Sequence, residues 1–223
     1  MIARATGVAI VLVLFIVGCA DEPERVPAGR LVEAAARGDA ATVSDLLSRG
    51  ADVNERDSSG RTAVTAAVYA GSAETVRLLV ADGADLDIRD DTQSNAFLAL
   101  GETGNVAVLE EVLKGSPDVT LTNRFGGTAL IPAADRGHVA MVRALLEKTE
   151  VDVDHVNDLG WTALLEAVVL GSGGPEHQEI VRLLIAAGAD KSIADGEGVT
   201  ALEHARANGY ATIASILEKT ATG

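Results

Sequence analysis

A repeated stretch of roughly 33 residues, Asp57 to Arg89, constrains the fold of this chain most, because its pattern returns with variations toward the C-terminus. The stretch begins with a turn in which Asp57 can accept backbone N–H groups and Gly60 tolerates a positive φ. Thr62 then suits a helix N-cap, since its hydroxyl can accept from an unpaired amide. Two short apolar segments follow, each ended by a glycine. The pattern therefore predicts one turn and two short helices per repeat.

Two helices of about ten residues cannot bury both apolar faces alone, so the predicted repeats must stack on their neighbours. The low aromatic content, 3%, agrees with helices that approach each other closely. The stretch resembles the ankyrin repeat, whose signature is T-P-L-H-x-A. The signature positions are occupied by Thr62, Ala63, Val64 and Ala67, without the Pro or the His. The resemblance implies an all-α ankyrin-repeat solenoid of helix-turn-helix units joined by hairpin loops.

The repeats predict an ankyrin domain over residues 30–221, made of about six units. The units span residues 30–56, 57–89, 90–122, 123–156, 157–194 and 195–221. The first is expected to be an atypical terminal cap, and the last to close the stack with a Thr200–Glu203 capping box. An insertion around Ser172–Glu176 in the fifth unit is expected in a surface loop.

The third unit departs most from the pattern. Gln93 stands where Gly60 stood, and Asn95 stands where Thr62 stood. Gln is sterically disfavoured where Gly supplies a positive φ. Gly101 lies inside a predicted helix, where glycine costs about 1 kcal/mol relative to alanine. These departures predict the loosest packing and the earliest local opening in this unit.

Residues 1–18 have the composition of a secretory signal peptide, because the apolar run from Gly7 to Gly18 is shorter than the ~20 residues of a membrane span. The end of this run together with the next residue, Ile16 to Cys19, resembles the bacterial lipobox, in which the cysteine is diacylated and becomes the mature N-terminus. Cys19 is the only cysteine, so an intramolecular disulfide is impossible. The resemblance implies lipid attachment, such as palmitate, at Cys19. An ordinary signal peptide or an uncleaved anchor is the alternative.

Residues 19–29 are interpreted as the lipidated cysteine and a solvated tether. Ala20 rather than Asp follows Cys19, which resembles the outer-membrane sorting signal of enterobacterial lipoproteins. The resemblance implies a location in the bacterial cell envelope, at the periplasmic face of the outer membrane. The membrane would then be contacted through the N-terminal lipid anchor.

The chain is strongly acidic, with a formal net charge of −15 at pH 7. This charge disfavours nucleic acid and anionic membrane surfaces as electrostatic partners. The expected partner is a protein of unknown identity, and the chain is expected to be a monomer.

The sequence lacks recognised motifs for metal binding and catalysis. The four histidines lack metal-ligand spacing on one helix, and Asp85-x-Asp87 and Asp152-x-Asp154 lack the Gly and Glu of an EF-hand. Turn formation explains these aspartates better. The sequence predicts no catalytic residues, no metal and no cofactor. An enzyme with an unrecognised site remains the alternative, since catalytic groups are assembled in space.

In ankyrin proteins a partner usually binds the concave surface formed by hairpin tips and first helices. Aromatic and arginine side chains are enriched among the residues that dominate binding. The resemblance therefore maps partner binding onto Arg61, Tyr69, Arg124, Phe125, Asp135, Arg136, Leu159, Trp161 and Leu170. The alternative for Phe125 and Trp161 is packing against adjacent hairpins within the stack.

The resemblance implies an extracytoplasmic, membrane-tethered scaffold for protein–protein interaction, and not an enzyme. Within that class, the chain resembles bacterial periplasmic ankyrin proteins associated with catalase and stress protection. The alternative is an immunity-type protein that neutralises an exported toxic enzyme. A purely structural role in the envelope, without a stoichiometric partner, is a further possibility.

Overall fold

The computed structural model describes residues 27–219, which form helices in six consecutive pairs. The helices are α1 (Arg30–Ala36), α2 (Ala40–Ser48), α3 (Ala63–Tyr69), α4 (Ala73–Ala81), α5 (Ala96–Thr103), α6 (Val106–Leu113), α7 (Leu130–Asp135), α8 (Val139–Lys148), α9 (Ala163–Val169), α10 (Pro175–Ala186), α11 (Ala201–Ala207) and α12 (Ala211–Glu218). Over this range β-type pairing is limited to two isolated bridges, Arg56 with Thr62 and Ala194 with Thr200. The predicted all-α ankyrin solenoid is confirmed.

The helices stack in two rows. The first helix of each pair packs on the first helix of the next pair, and the second helices pack on one another in the same order. One continuous apolar core runs between the rows from Leu31 to Leu217. Thr62 caps α3 through its hydroxyl, and Thr200 and Glu203 form the predicted capping box at α11. Each pair therefore completes its core only by contact with its neighbours.

The hairpin turns are closed by one recurring hydrogen-bond pattern. In the second unit, Oδ1 of Asp57 accepts from the amides of Ser59 at 2.8 Å and Arg61 at 3.0 Å. The same pair of bonds, to the amides two and four residues later, is made by Asp90, Asn123, Asn157 and Asp195. An aspartate or asparagine at this position thus holds the tip of each turn in a fixed conformation.

Side chains near the starts of second helices connect successive units. Each donates a hydrogen bond to a main-chain carbonyl of the preceding unit, at 2.8 to 3.4 Å. The donor–acceptor pairs are Ser72–Gly38, Asn105–Gly71, His138–Glu102, His177–Asp135 and Tyr210–Gly171. Two of the four histidines are therefore structural links between repeats.

The recurring Asp-x-Asp pairs also serve the stack. Oδ1 of Asp85 accepts from the amide of Asp87 at 3.0 Å, which closes a turn. Oδ1 of Asp87 accepts at 3.0 Å from the amide of Asp118, one unit further along. Asp154 makes the corresponding bond to the amide of Asp190 at 2.8 Å. These contacts agree with turn formation and add a link between units.

The third unit is better packed than its sequence suggests. Gln93 does adopt a positive φ of 60°, as its alignment with Gly60 predicts. Asn95 caps α5, because its Oδ1 accepts from the amide of Leu98 at 2.8 Å, although its Nδ2 is buried without a hydrogen-bond partner. The cost assigned to Gly101 is wrong in sign, because a Cβ there would lie 2.2 Å from the carbonyl oxygen of Ala129. Glycine at this position allows α5 to pack closely on α7.

The looser contact lies in the outer row. The packing of α6 on α8 is the least extensive between successive second helices. The predicted early opening of the third unit is therefore expected in α6, and not in the buried helix α5.

The loop predicted at the insertion in the fifth unit is shorter than expected, because its last two residues are helical. Pro175 and Glu176 belong to α10, which Pro175 begins at a position where its missing N–H costs nothing. Gly173 adopts a φ of 69°, and a Cβ there would lie 2.5 Å from the Tyr210 ring. The loop is thus packed under the sixth unit.

Replacing Gln93 by glycine tests the strain at this turn. Gln93→Gly should raise the free energy of unfolding by about 0.5–1 kcal/mol, because relief of the positive φ exceeds the entropy that glycine adds to the unfolded chain. Urea denaturation followed by circular dichroism measures the change. Gln93→Ala is the control, since it removes the side chain but keeps the strained φ. Equal stability of the two variants would contradict the argument.

Candidate partner-binding surface

Two adjoining grooves lie along the face formed by the hairpin tips and the first helices. The Tyr69 groove, of about 310 Å³, is lined by Arg61, Tyr69, Asp90, Thr92, Ser94, Glu102, Asn123, Arg124 and Phe125. The Glu166 groove, of about 320 Å³, is lined by Glu102, Asn123, Arg124, Phe125, Gly127, Ile131, Pro132, Asp135, Arg136, Asn157, Leu159 and Glu166. Because the two grooves share Glu102 and the Asn123–Phe125 turn, they form one surface from the second unit to the fifth.

The structure places most of the predicted partner-binding residues on this surface. The residues that line one or both grooves are Arg61, Tyr69, Arg124, Phe125, Asp135, Arg136 and Leu159. Leu170 is 53% exposed at the end of α9, but it lines neither groove. Trp161 is partly buried against the apolar core, which favours the stack-packing alternative for this residue. Their contact with a partner stays a prediction.

The Tyr69 groove contains the positively charged side chain of Arg61, which is held by Tyr69 and Asp90 of the same chain. The Arg61 guanidinium lies over the Tyr69 ring, 5.2 Å from its centroid. Arg61 Nε is 3.9 Å from Oδ2 of the buried Asp90, and it is itself buried without a hydrogen-bond partner. Tyr69 Oη lies 3.3 Å from Ser94 Oγ. The charge of the Asp90 carboxylate is therefore already faced by an arginine within this groove.

The rim of the Glu166 groove is apolar. Phe125 and Leu159 occupy equivalent positions on adjacent hairpin tips, and their side chains are 52% and 58% exposed. Their amides donate to Oδ1 of Asn123 at 2.9 Å and of Asn157 at 3.0 Å. The Arg124 guanidinium lies over the Phe125 ring at 4.8 Å. Two apolar side chains are thus held at the groove by fixed turns, although the fold does not need to expose them.

The floor of this groove carries a buried carboxylate. Glu166, on α9, is only 7% exposed. Its Oε1 accepts from Asn157 Nδ2 at 2.8 Å, while no donor within residues 27–219 bonds Oε2. Asn157 can make this contact because its Oδ1 serves the turn and its amide group still has protons to donate. An aspartate at position 157 would close the turn but would have no proton for Glu166.

The environment of Glu166 changes its protonation. Burial and the nearby Asp135 carboxylate raise the pKa of Glu166 from 4.5 to about 7, against the opposing effect of the Asn157 hydrogen bond. In the sixth unit the positions of Asn157 and Glu166 are occupied by Asp195 and His204. There the acid is the turn residue, and His204 Nε2 bonds Asp195 Oδ2 at 2.7 Å. Hydrogen bonds from the Val199 amide and from His204 lower the pKa of Asp195. Glu166 is thus the buried acid of this surface that lacks a cationic partner among the described residues.

Glu166 was missed by sequence reasoning, which considered only turn residues and the ends of first helices. The available signal was a lone charged residue within the apolar segment Ala163–Val169. Cys19, the predicted signal peptide and most of the predicted tether lie outside the described residues.

Residues 27–219 contain no group of three or more His, Cys, Asp or Glu side chains placed to hold a metal ion. Within the same range, no helix has the length and apolar character needed to cross a membrane.

The buried acid makes stability depend on pH. Because the folded-state pKa of Glu166 is raised, its stabilising contribution is full below pH 4.5 and is lost as pH rises through about 7. Glu166→Gln should therefore match the wild-type chain at pH 4.5 and exceed its free energy of unfolding by up to about 3 kcal/mol at pH 8. Urea denaturation of both proteins at the two pH values measures this difference. A Glu166→Gln variant that is less stable than wild type at pH 8 would contradict the assignment.

Several solved structures, two of them described as ankyrin repeat proteins, superpose on this chain over most of its length. An ankyrin repeat domain from Acinetobacter baumannii AYE is 44% identical, with a TM-score of 0.79, over 84% of this chain and 95% of that one. The ankyrin repeat protein EF0377 is 39% identical, with a TM-score of 0.83, over 87% and 98%. A chain in the complex of the predatory endopeptidase Bd0816 with the immunity protein Bd3460, from Bdellovibrio bacteriovorus, is 25% identical, with a TM-score of 0.69, over 87% and 100%.

Sequence comparison gives the same assignment. The ankyrin repeat protein YahD of Escherichia coli K12 is 47% identical over 76 residues, which are 34% of this chain and 38% of YahD. The match therefore spans well under half the length of that relative. The family model for ankyrin repeats in three copies matches residues 31–116 and 96–195, which together cover most of the chain. The chain belongs to the ankyrin repeat family.

Proposed function

We propose that this chain is an extracytoplasmic, membrane-tethered, monomeric scaffold that binds a protein partner through its concave ankyrin surface. Ankyrin repeats indicate a protein-interaction scaffold, and ankyrin domains are generally interaction modules without catalytic activity. The observation that carries the proposal is the pair of exposed apolar side chains, Phe125 and Leu159, at the rim of a groove with a polar floor. Apolar anchors beside polar groups are typical of protein-binding surfaces.

The identity of the partner divides the proposal in two. An immunity-type role, in which the partner is an exported toxic enzyme, is favoured by the similarity to a chain in an endopeptidase–immunity protein complex. The other role is association with a catalase and protection against oxidative stress. The two roles predict different proteins on the same surface, so identification of the bound partner separates them.

Crosslinking in intact cells, followed by mass spectrometry, tests the binding surface. The wild-type chain should give a stoichiometric crosslinked partner, and the double variant Phe125→Ser, Leu159→Ser should lose most of it, because its two rim anchors are gone. Val156→Ser is the matched control, since Val156 is 46% exposed yet lines neither groove. Circular dichroism should show all variants folded. Retention of the partner by the double variant would argue against this surface.

Replacement of Cys19 tests the tether. Wild-type protein should incorporate labelled palmitate and sediment with the outer membrane, whereas Cys19→Ser should lose the label and leave the membrane fraction. The reason is that acyl chains contribute about 0.8 kcal/mol per buried CH₂, and stable anchoring takes more than one chain. Ala20→Ser is the control, since it keeps the cysteine. Unlabelled wild-type protein that still sediments with membranes would indicate an uncleaved anchor instead.

A further inference from the structure

The Glu166 groove combines two features that suit a long cationic side chain. Its rim presents the apolar surfaces of Phe125 and Leu159. Its floor presents the carboxylate of Glu166, with Oε2 free of donors from the described residues, and Asp135 lies near enough to influence its ionisation. Lysine and arginine have apolar stems and charged heads, and they bury the stem while the head meets a polar group.

We propose that the Glu166 groove receives a lysine or arginine side chain of the partner protein, with its stem between Phe125 and Leu159 and its head at Asp135 and Glu166. This inference rests on the proposed function, because it concerns the partner that the concave surface binds.

The charges of the groove favour a cation over an anion. Three carboxylates line it, from Glu102, Asp135 and Glu166, against two guanidinium groups. The guanidinium of Arg124 lies over the Phe125 ring, and the side chain of Arg136 is exposed directly after the end of α7. Neither Asp135 nor Glu166 takes part in an ion pair within residues 27–219.

The charge of the whole chain points the same way. With a net charge of −15, the chain attracts a basic partner from a distance and repels an acidic one. The groove would then fix where one basic side chain of that partner comes to rest.

The neighbouring Tyr69 groove provides an internal comparison. There the Asp90 carboxylate already has the Arg61 guanidinium of this same chain 3.9 Å away. A cation from outside would have to displace that arginine. In the Glu166 groove no cationic side chain of the described residues forms an ion pair with Asp135 or Glu166, so the cation is expected from the partner.

Binding of a cation at this floor is coupled to protonation. The charged side chains that line the groove with Glu166 are Asp135 on α7, Arg136 directly after α7, Glu102 on α5 and Arg124 on the hairpin of the fourth unit, while His204 on the adjacent α11 bonds Asp195. A protonated Glu166 must lose its proton before it can pair with the incoming cation. Affinity for the cation should therefore rise from pH 5.5 to pH 7.5, and binding should release a proton.

Small probes on the full ¹⁵N-labelled chain test the proposal by amide NMR. The probes are the N-acetyl, N-methylamide derivatives of lysine, arginine and norleucine, since norleucine keeps an unbranched apolar stem without the charge. Lysine and arginine probes should shift the amides of Asn157, Leu159 and Glu166, and norleucine should bind about tenfold more weakly.

Matched variants test whether Glu166 and Asp135 are the carboxylates that bind the charged probes. Glu166→Gln and Asp135→Asn should each weaken the lysine and arginine probes about fivefold to tenfold at pH 7.5. Glu166→Gln should also remove the rise in affinity between pH 5.5 and pH 7.5. Glu197→Gln is the control, because it makes the same charge change on the exposed sixth hairpin, and it should leave probe binding unchanged.

Three results would overturn the proposal: equal binding of norleucine and lysine, unchanged affinity in Glu166→Gln, or shifts confined to the Tyr69 groove. Its failure is distinguishable from failure of the proposed function. A crosslinked partner that depends on Phe125 and Leu159 supports the proposed scaffold function even if no probe binds in the Glu166 groove. Absence of any crosslinked partner contradicts the scaffold function, whether or not the probes bind.

Discussion

The structure depends on the stacking of each helix pair on the next, because a single pair cannot bury its own apolar faces. The first helices approach so closely that Gly101 of α5 has no room for a Cβ beside the Ala129 carbonyl. Side chains such as His177 and Tyr210 then donate to carbonyls of the preceding unit, which fixes the repeats in register. The result is one continuous face on which hairpin tips from different units lie side by side.

The repeat position whose side chain closes each hairpin also determines which hydrogen bonds are available at the binding surface. Asp57, Asp90 and Asp195 satisfy the turn amides but cannot donate from the side chain, whereas Asn123 and Asn157 can. At the fifth unit this difference lets Asn157 hold Glu166, and at the sixth His204 supplies the donor to Asp195 instead. An asparagine rather than an aspartate at this turn position thus supplies the hydrogen bond to the buried acid on the floor of the groove.

Sequence periodicity predicted well what is local or repeated: the helix pairs, the cap at Thr62 and the exposed positions Phe125 and Leu159. It failed where a distant neighbour decides the outcome. Gly101 was interpreted as a defect because its helix was considered without α7, and the choice between surface exposure and stack packing for Trp161 could be weighed only with the neighbouring units in place. The capacity of Asn95 to cap α5 was undervalued because it differs from the repeat pattern, although asparagine is among the best N-cap residues.

The sequence by itself determined the ankyrin stack and the positions that the stack leaves free, because both follow from a period written in the chain. Only the tertiary structure decided how those free positions combine. It brought Asp135 of the fourth unit near Glu166 of the fifth, and it placed both in one groove with Phe125 and Leu159. The ionisation of a buried carboxylate depends on burial and on charges from other units, and neither is encoded in the spacing of a single repeat.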